Sequence, residues 1–400
     1  MIFLYTFLCL ILFILLFIPG FVSNKYLSQK KLFQVPDLFL GFILFILIGT
    51  IFSVLFINFI PLQYLWISSY LLLLILSTIH FFISKDTFVD IFSISMFRNI
   101  LIFCIVFLLT LVIRFLNPDI LHTEKIMELM ILTSVMDMRS IIPDDLWFHN
   151  ENIKYYYFGY FVFSSVPKIL LLESNVAYNF ILPTVISYSA IVLIHFTKLL
   201  FDHLKIKKNF ILFFIFSFIF IFFLSPIASS IEFMSHLSIG SNSFYKFIDI
   251  NGIDNLPKIK LFWPDDHWWW FSISRIISYN RSDFIVSDYT INEFPAFSVI
   301  LGDIHPHILA IPFVLLSIYL IIFIFKNAYK NKELNYMLII QLTIIFLFTI
   351  LINPWYLIPI LWLFFLNLLF YEYYLGTKPW VFIKSIIQKC LPILLIAIIV

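Results

Sequence analysis

Hydrophobic positions in this chain come in long unbroken runs, with the polar residues gathered between them. Runs long enough to cross a bilayer as helices occupy about 2–22, 39–60, 63–83, 99–116, 176–199, 209–227, 307–325, 336–352 and 355–371. About 20 apolar residues in α-helix span the roughly 30 Å of hydrocarbon in a membrane. A tenth run begins near 386 and is still running at Val400, which suggests a shortened chain. The first run lacks a basic leader and a small-residue cleavage site around Pro19 and Gly20, so it predicts a first spanning helix rather than a signal peptide. The stretch 158–172 is apolar but short and is broken by Pro167 and Lys168. It predicts a segment that lies in the interface, or that enters the membrane and returns.

The pattern therefore predicts an all-α polytopic membrane protein of about ten transmembrane helices with two large loops, about 117–157 and 228–306. In chain order it divides into amino-terminal helices over 1–98, a loop-bearing core over 99–325 and carboxy-terminal helices over 326–400. Neither an internal repeat nor a low-complexity linker breaks it up. Composition agrees: 62% hydrophobic residues and 12% charged ones, with a mean hydropathy of +1.04, exclude a soluble globular protein.

Charge placement adds an orientation. Lysines at 25, 30, 31, 85, 198, 205, 207, 208, 326, 330, 332, 378, 384 and 389, with Arg98, all fall on one side if the spans alternate and 158–172 does not cross. The positive-inside rule makes that side cytoplasmic. Both long loops then lie on the extracytoplasmic face of a cell membrane, carrying 16 of the 23 acidic residues. The net charge of +2 says nothing about partners, and no basic tract points to nucleic acid. Cys9, Cys104 and Cys390 lie in apolar runs and form no metal or redox pair.

The candidate chemistry sits in the loops and at their membrane re-entry. Ile291–His307, INEFPAFSVILGDIHPH, places Glu293, Asp303, His305 and His307 where the second loop returns. Ionisable groups at the mouth of an embedded bundle are costly and usually functional. Pro306 disfavours helical backbone at His305 and suits a first helical position, so His305 is a candidate helix cap. The plain alternative is that Asp303 and His305 only cap that helix. Asp303, His305 and His307 also form a candidate set for a divalent metal ion.

In the first loop, Arg114 either snorkels or pairs with Asp119 or a lipid headgroup. It is followed by Glu124 and then by Asp144 and Asp145 ahead of Tyr155, Tyr156 and Tyr157, three tyrosines that form an aromatic belt or a sugar-stacking surface. The second loop holds Asp265, Asp266 and His267, then Trp268, Trp269 and Trp270, then Arg275, whose guanidinium suits a phosphate. No GxxxxGK[ST], GxGxxG or HExxH motif occurs, so a phosphate donor is expected to be lipid-borne rather than a nucleotide.

RFLNPDILHTEKIMELMILTSV, PDDLWFHNENIKYYYFGYF, VAYNF, DHWWWFSISRII and INEFPAFSVILGDIHPHILAIPF occur in this order from Arg114 to Phe313. Together they resemble the YYY-type integral membrane family, whose domain of unknown function is DUF2298. That family looks distantly similar to GT-C glycosyltransferases, multi-pass enzymes that take a sugar from a polyprenyl-phosphate carrier on the extracytoplasmic face. Two departures stand out. Three helices precede the loop-bearing pair, where GT-C enzymes place the acidic loop after the first. Glu128 stands where the family's E-K-x-M-D string has aspartate.

The resemblance implies transfer of a sugar from a polyprenyl-phosphate-linked donor to an acceptor hydroxyl. Asp119 would act as the base, with Asp144 and Asp145 next. Glu124 and Arg114 would contact substrate, and the tyrosine and tryptophan triplets would line the sugar and lipid path. Arg275, His305 and His307 or a divalent metal would compensate the leaving phosphate, and Glu293 and Asp303 would hold the metal or orient the histidines. The alternatives are a transporter or scaffold for lipid-linked sugars and a metal-dependent membrane hydrolase.

Overall fold

The computed structural model describes residues 2–29, 35–83, 94–121, 124–224, 227–248, 274 and 293–376. Among these the secondary structure is helical, with one isolated bridge between Asp144 and Asn152. The chain forms two compact units, 1–210 with 304–400, and 211–303.

In the larger unit α1 (Ile2–Leu15) and α2 (Phe17–Gln29) run on from one another, followed by α3 (Asp37–Phe56), α4 (Leu62–Ile83) and α5 (Ile94–Leu116). The first loop contains α6 (Lys125–Asp137) and leads into two short helices, α7 (Phe158–Phe163) and α8 (Ser165–Ile169). The long α9 (Ser174–Leu204) follows. After the second unit come α14 (Pro306–Leu309), α15 (Ile311–Asn331), α16 (Tyr336–Ile352) and α17 (Leu357–Tyr374). Seven stretches are long and apolar enough to span: Ile2–Lys25, Asp37–Phe56, Leu62–Ile83, Ile94–Leu116, Ser174–Leu204, Pro306–Asn331 and Pro354–Tyr374. Phe210–Phe222 and Tyr336–Ile352 are shorter apolar helices. These nine match the nine runs expected from hydropathy; the run from 386 lies outside the described residues.

The segment 158–169 is too short to span, as Pro167 and Lys168 led one to expect. It is nevertheless a buried packing element rather than a surface helix. Gly159 sits so close to Leu309 that an added Cβ would lie 2.8 Å from its Cδ1 and 3.0 Å from Ile352. Lys168 ends the segment with an ion pair to Asp137 at 3.0 Å.

Lipid is as apolar as a leucine side chain, so helices in a membrane associate through close packing rather than exclusion from water. Two devices serve that here. At the α2–α3 crossing, a Cβ on Gly20 would lie 1.7 Å from the Asp37 carbonyl oxygen, and one on Gly41 would lie 1.7 Å from that of Leu16; only glycine permits this approach. Aromatic rings then fill the centre. Tyr188 of α9 stacks on Phe42 (4.6 Å between centroids), lies 5.0 Å from Phe39, and meets Phe103 edge-on at 5.0 Å. Phe313 extends the cluster, 5.3 Å from Phe39. Because α5 and α9 form the most extensive helix pair, the ends of α5, α6 and α9 are held together at the loop-bearing end.

The second unit contains α10 (Phe210–Phe222), α11 (Ile227–His236), α12 (Asn242–Ile248) and α13 (Pro295–Leu301). Tyr245, Phe294, Ala296 and Phe297 form its buried cluster. Pro295 opens α13, and Gly302 closes it in left-handed backbone (φ 76°) with its N–H donating to the Ser298 carbonyl at 2.8 Å.

Candidate functional site

Three segments of the larger unit meet at Glu128, a carboxylate with 0% exposure near the start of α6. Its Oε2 accepts the Ile304 backbone N–H at 3.0 Å and the Tyr178 phenol O–H from the first turns of α9. Its Oε1 faces His305 Nδ1 at 2.9 Å. An isolated buried carboxylate is expensive; here three groups able to donate surround it. A carboxylate in its ionised form only accepts, so it pairs with the form of the ring that carries a proton on Nδ1. The other ring nitrogen is Nε2. It meets Tyr155 Oη at 3.1 Å and Glu124 Oε2 at 3.3 Å.

The local sequence explains why His305 can do this. It occupies the N-cap position of α14, with extended backbone (φ −62°, ψ 149°), and Pro306 takes the first helical position. Its carbonyl accepts the N–H groups of Ile308 and Leu309 at 2.9 and 3.1 Å, whereas its imidazole makes no capping bond. The backbone caps the helix and the side chain, 8% exposed, is committed to the carboxylates. The capping account therefore covers only half of this residue.

Arg114 does not snorkel. It is 4% exposed and folds back over the end of α5, donating to the carbonyls of Asn117, Pro118 (3.2 Å) and Asp119 (3.2 Å). These are carbonyls of the chain just past the end of the helix. Its guanidinium also lies 5.7 Å from the centre of the Tyr178 ring, within cation–π range. Lys125, likewise buried, donates to the Asp119 carbonyl at 3.3 Å. Both cations thus turn to the Asp119 backbone, and the Asp119 side chain is left on the surface.

The remaining expected residues scatter. Of the three tyrosines only Tyr155 reaches His305. Tyr156 packs on Tyr155 (5.1 Å), and Tyr157 donates to the Ile141 carbonyl at 3.2 Å, burial holding its phenol above the usual range. Asp145 Oδ1 accepts the backbone N–H groups of Trp147 and Phe148 at 2.8 and 3.2 Å, closing a turn. The Asp144 carbonyl accepts the Ser134 hydroxyl. His307 lies 5.6 Å from His305 between ring centres, and its carbonyl accepts the Tyr356 hydroxyl at 3.3 Å. Glu293 and Asp303 belong to the second unit. Trp268, Trp269, Trp270 and Arg275 lie outside the described residues. Sequence reasoning missed Glu128 and Tyr178 as site residues; the signals were the E-K-x-M-E string and VAYNF, both noted only for their resemblance.

A family model described as "Uncharacterized membrane protein (DUF2298)" matches residues 46–399. The chain belongs to this family. No curated protein and no solved structure matches it. For this DUF2298 protein the site brings together an imidazole, two carboxylates and a tyrosine hydroxyl. His305 Nε2 with Glu124 supplies one nitrogen and one oxygen ligand, and a carboxylate on the far ring nitrogen is the usual support for a metal-binding histidine.

Proposed function

We propose that this DUF2298 protein is a GT-C-like glycosyltransferase that moves a sugar from a polyprenyl-phosphate carrier to a hydroxyl acceptor on the extracytoplasmic face. The observation that carries the reading is the Glu128–His305 pair, a buried carboxylate against one nitrogen of an imidazole whose other nitrogen meets a hydroxyl and the Glu124 carboxylate. Tyr155 Oη stands 3.1 Å from Nε2, the distance an acceptor hydroxyl needs for general-base catalysis.

In the proposed reaction the acceptor hydroxyl takes the place of the Tyr155 hydroxyl at Nε2. His305 removes its proton as the oxygen bonds to the anomeric carbon. The bond from that carbon to the carrier phosphate breaks, and the phosphate leaves with the electron pair. Glu128 stabilises the imidazolium, and Arg114 and Lys125 supply a positive field for the departing phosphate. Such a base contributes typically 10²–10⁴-fold in rate. The base role thus passes from Asp119, the expectation from the resemblance, to His305, because the Asp119 side chain is exposed while its carbonyl is held by Arg114 and Lys125.

The test is incubation of the purified full chain with radiolabelled polyprenyl-phosphate sugars and a cell-envelope extract, wild type beside His305→Gln and Asp119→Asn. Label should pass to a new product with wild type and with Asp119→Asn but not with His305→Gln. Transfer unaffected by His305→Gln would remove the base assignment. Carrier binding without transfer or hydrolysis would favour the transporter or scaffold alternative.

A further inference from the structure

A polar cavity of about 790 Å³ opens among α2, α3, α9 and α15, all within the larger unit. Along α9, Tyr178 and Lys198 are about 20 residues apart, roughly 30 Å of helix. The cavity therefore lies about one hydrocarbon thickness from the Glu128–His305 site, at the lysine-rich end of the bundle.

Its wall has a divided chemistry. Lys25, Lys198 and Lys326 reach it from three different helices, with His195, Asn24 and Asn327 beside them. His195 is anchored by Asn99 of α5, 3.1 Å from its Nε2. Two carboxylates, Asp37 and Asp202, line the same cavity. Asp37 accepts from the Asn24 amide, which also donates to the Val35 carbonyl at 2.6 Å. Asp37 is the first residue of α3, whose amino end adds a partial positive charge at this point. Phe21, Leu199, Tyr319 and Phe323 make the apolar part of the wall, with Tyr319 and Phe323 stacked at 6.1 Å.

Lysines at the cytoplasmic ends of membrane helices ordinarily serve orientation and need share no site. Here three of them share one cavity with an aromatic wall and two acceptor carboxylates. We propose that this cavity binds a phosphate-bearing headgroup that also carries hydroxyls. The lysines meet the phosphate, Asp37 and Asp202 accept from the hydroxyls, and the aromatic wall takes the start of a hydrocarbon tail. The volume suits a headgroup with part of its chains. The proposal does not depend on the transferase reading, since it concerns the opposite end of the bundle.

The experiment measures binding of short-chain phosphatidylglycerol, phosphatidylcholine and inorganic phosphate to the detergent-purified full chain. The wild type is compared with the double variant Lys198→Gln/Lys326→Gln and with Lys205→Gln, a lysine outside the cavity. Phosphatidylglycerol should bind more tightly than phosphatidylcholine, and the double variant should lose about 10–30-fold in affinity, the effect of two surface-lying lysines on an anionic lipid. Lys205→Gln should leave binding within about twofold. Inorganic phosphate that competes at concentrations equal to the lipid would identify a free phosphate compound as the source; failure to compete would identify the lipid. Equal affinity for the two lipids, or equal losses in Lys205→Gln and the double variant, would overturn the proposal.

Discussion

Replacing Glu128 by glutamine changes one oxygen for an amide nitrogen and should nevertheless silence the site. The amide keeps one acceptor. Placed where Oε2 stands, it still receives Ile304 N–H (3.0 Å) and Tyr178 O–H. The NH₂ group must then face His305 Nδ1 across 2.9 Å. Two donors cannot share that contact, so the imidazole is driven to the other tautomer, with its proton on Nε2. It can then neither accept from Tyr155 nor take a proton from an acceptor. A wrong-tautomer histidine costs about 10⁴-fold in turnover in the serine-protease case, and a loss of about 10³–10⁴-fold is expected here. Three charge-assisted bonds also become neutral or inverted, each change worth about 1 kcal/mol, so stability should fall by about 2–4 kcal/mol. Glu128→Asp separates the two effects. It keeps the charge and the tautomer but shortens the reach by about 1.5 Å, so it should cost stability with only about a tenfold loss of transfer. The assay is label transfer from polyprenyl-phosphate sugar, paired with thermal melting of the purified protein in detergent. A glutamine variant at wild-type rate, or an aspartate variant as inactive as the glutamine one, would refute the tautomer argument.

Tyr178→Phe removes one of the donors to Glu128 and leaves the tautomer intact; it should destabilise by about 1–2 kcal/mol and slow transfer far less than Glu128→Gln, as read by the same pair of assays. Arg114→Lys gives up the planar fork that reaches three carbonyls and should cost about 2 kcal/mol in melting experiments. Gly41→Leu forces side-chain atoms into the Leu16 carbonyl, 1.7 Å from an ideal Cβ, and should part α2 from α3; a melting point equal to wild type would disprove the close crossing. Tyr188→Phe runs the other way. Among the described residues the Tyr188 hydroxyl is buried without a hydrogen-bond partner, so deleting it should leave stability unchanged or raise it by up to about 1–3 kcal/mol, read as a melting point equal to or above that of wild type.

Much of this architecture was legible in the sequence because membrane helices announce themselves locally. A run of 20 apolar residues satisfies its own backbone and needs no distant partner to be recognised. The break at Pro167 and Lys168 was equally local, and so was the proline that places His305 at a helix start. The chemistry was not local. Glu128 meets residues 50 and 177 positions away, and no period or motif reports such a pairing in a single sequence. Tyr155, Tyr156 and Tyr157 are chemically identical in a string of letters; only the entry angle of α7 selects the first of them. Asp145 looked like a base, yet a carboxylate followed by free N–H groups closes a turn just as readily. Arg114 was expected either to snorkel or to pair with Asp119 or a headgroup, and the fold turns it to three backbone carbonyls, that of Asp119 among them.

The short buried segment of α7 and α8 has a consequence for how the molecule is made. Its neighbours Leu309 and Ile352 are synthesised 150 and 193 residues after Gly159. At roughly 5–20 residues per second, the segment waits about 10–40 s before the side chains that cover it exist. During that interval an apolar stretch too short to cross the bilayer has no lasting home. It must rest at the membrane surface or against α4 until the later helices arrive. Assembly of this bundle is therefore closed from its carboxy-terminal half, and a chain ended before α16 should expose the segment to degradation even though every earlier helix is present.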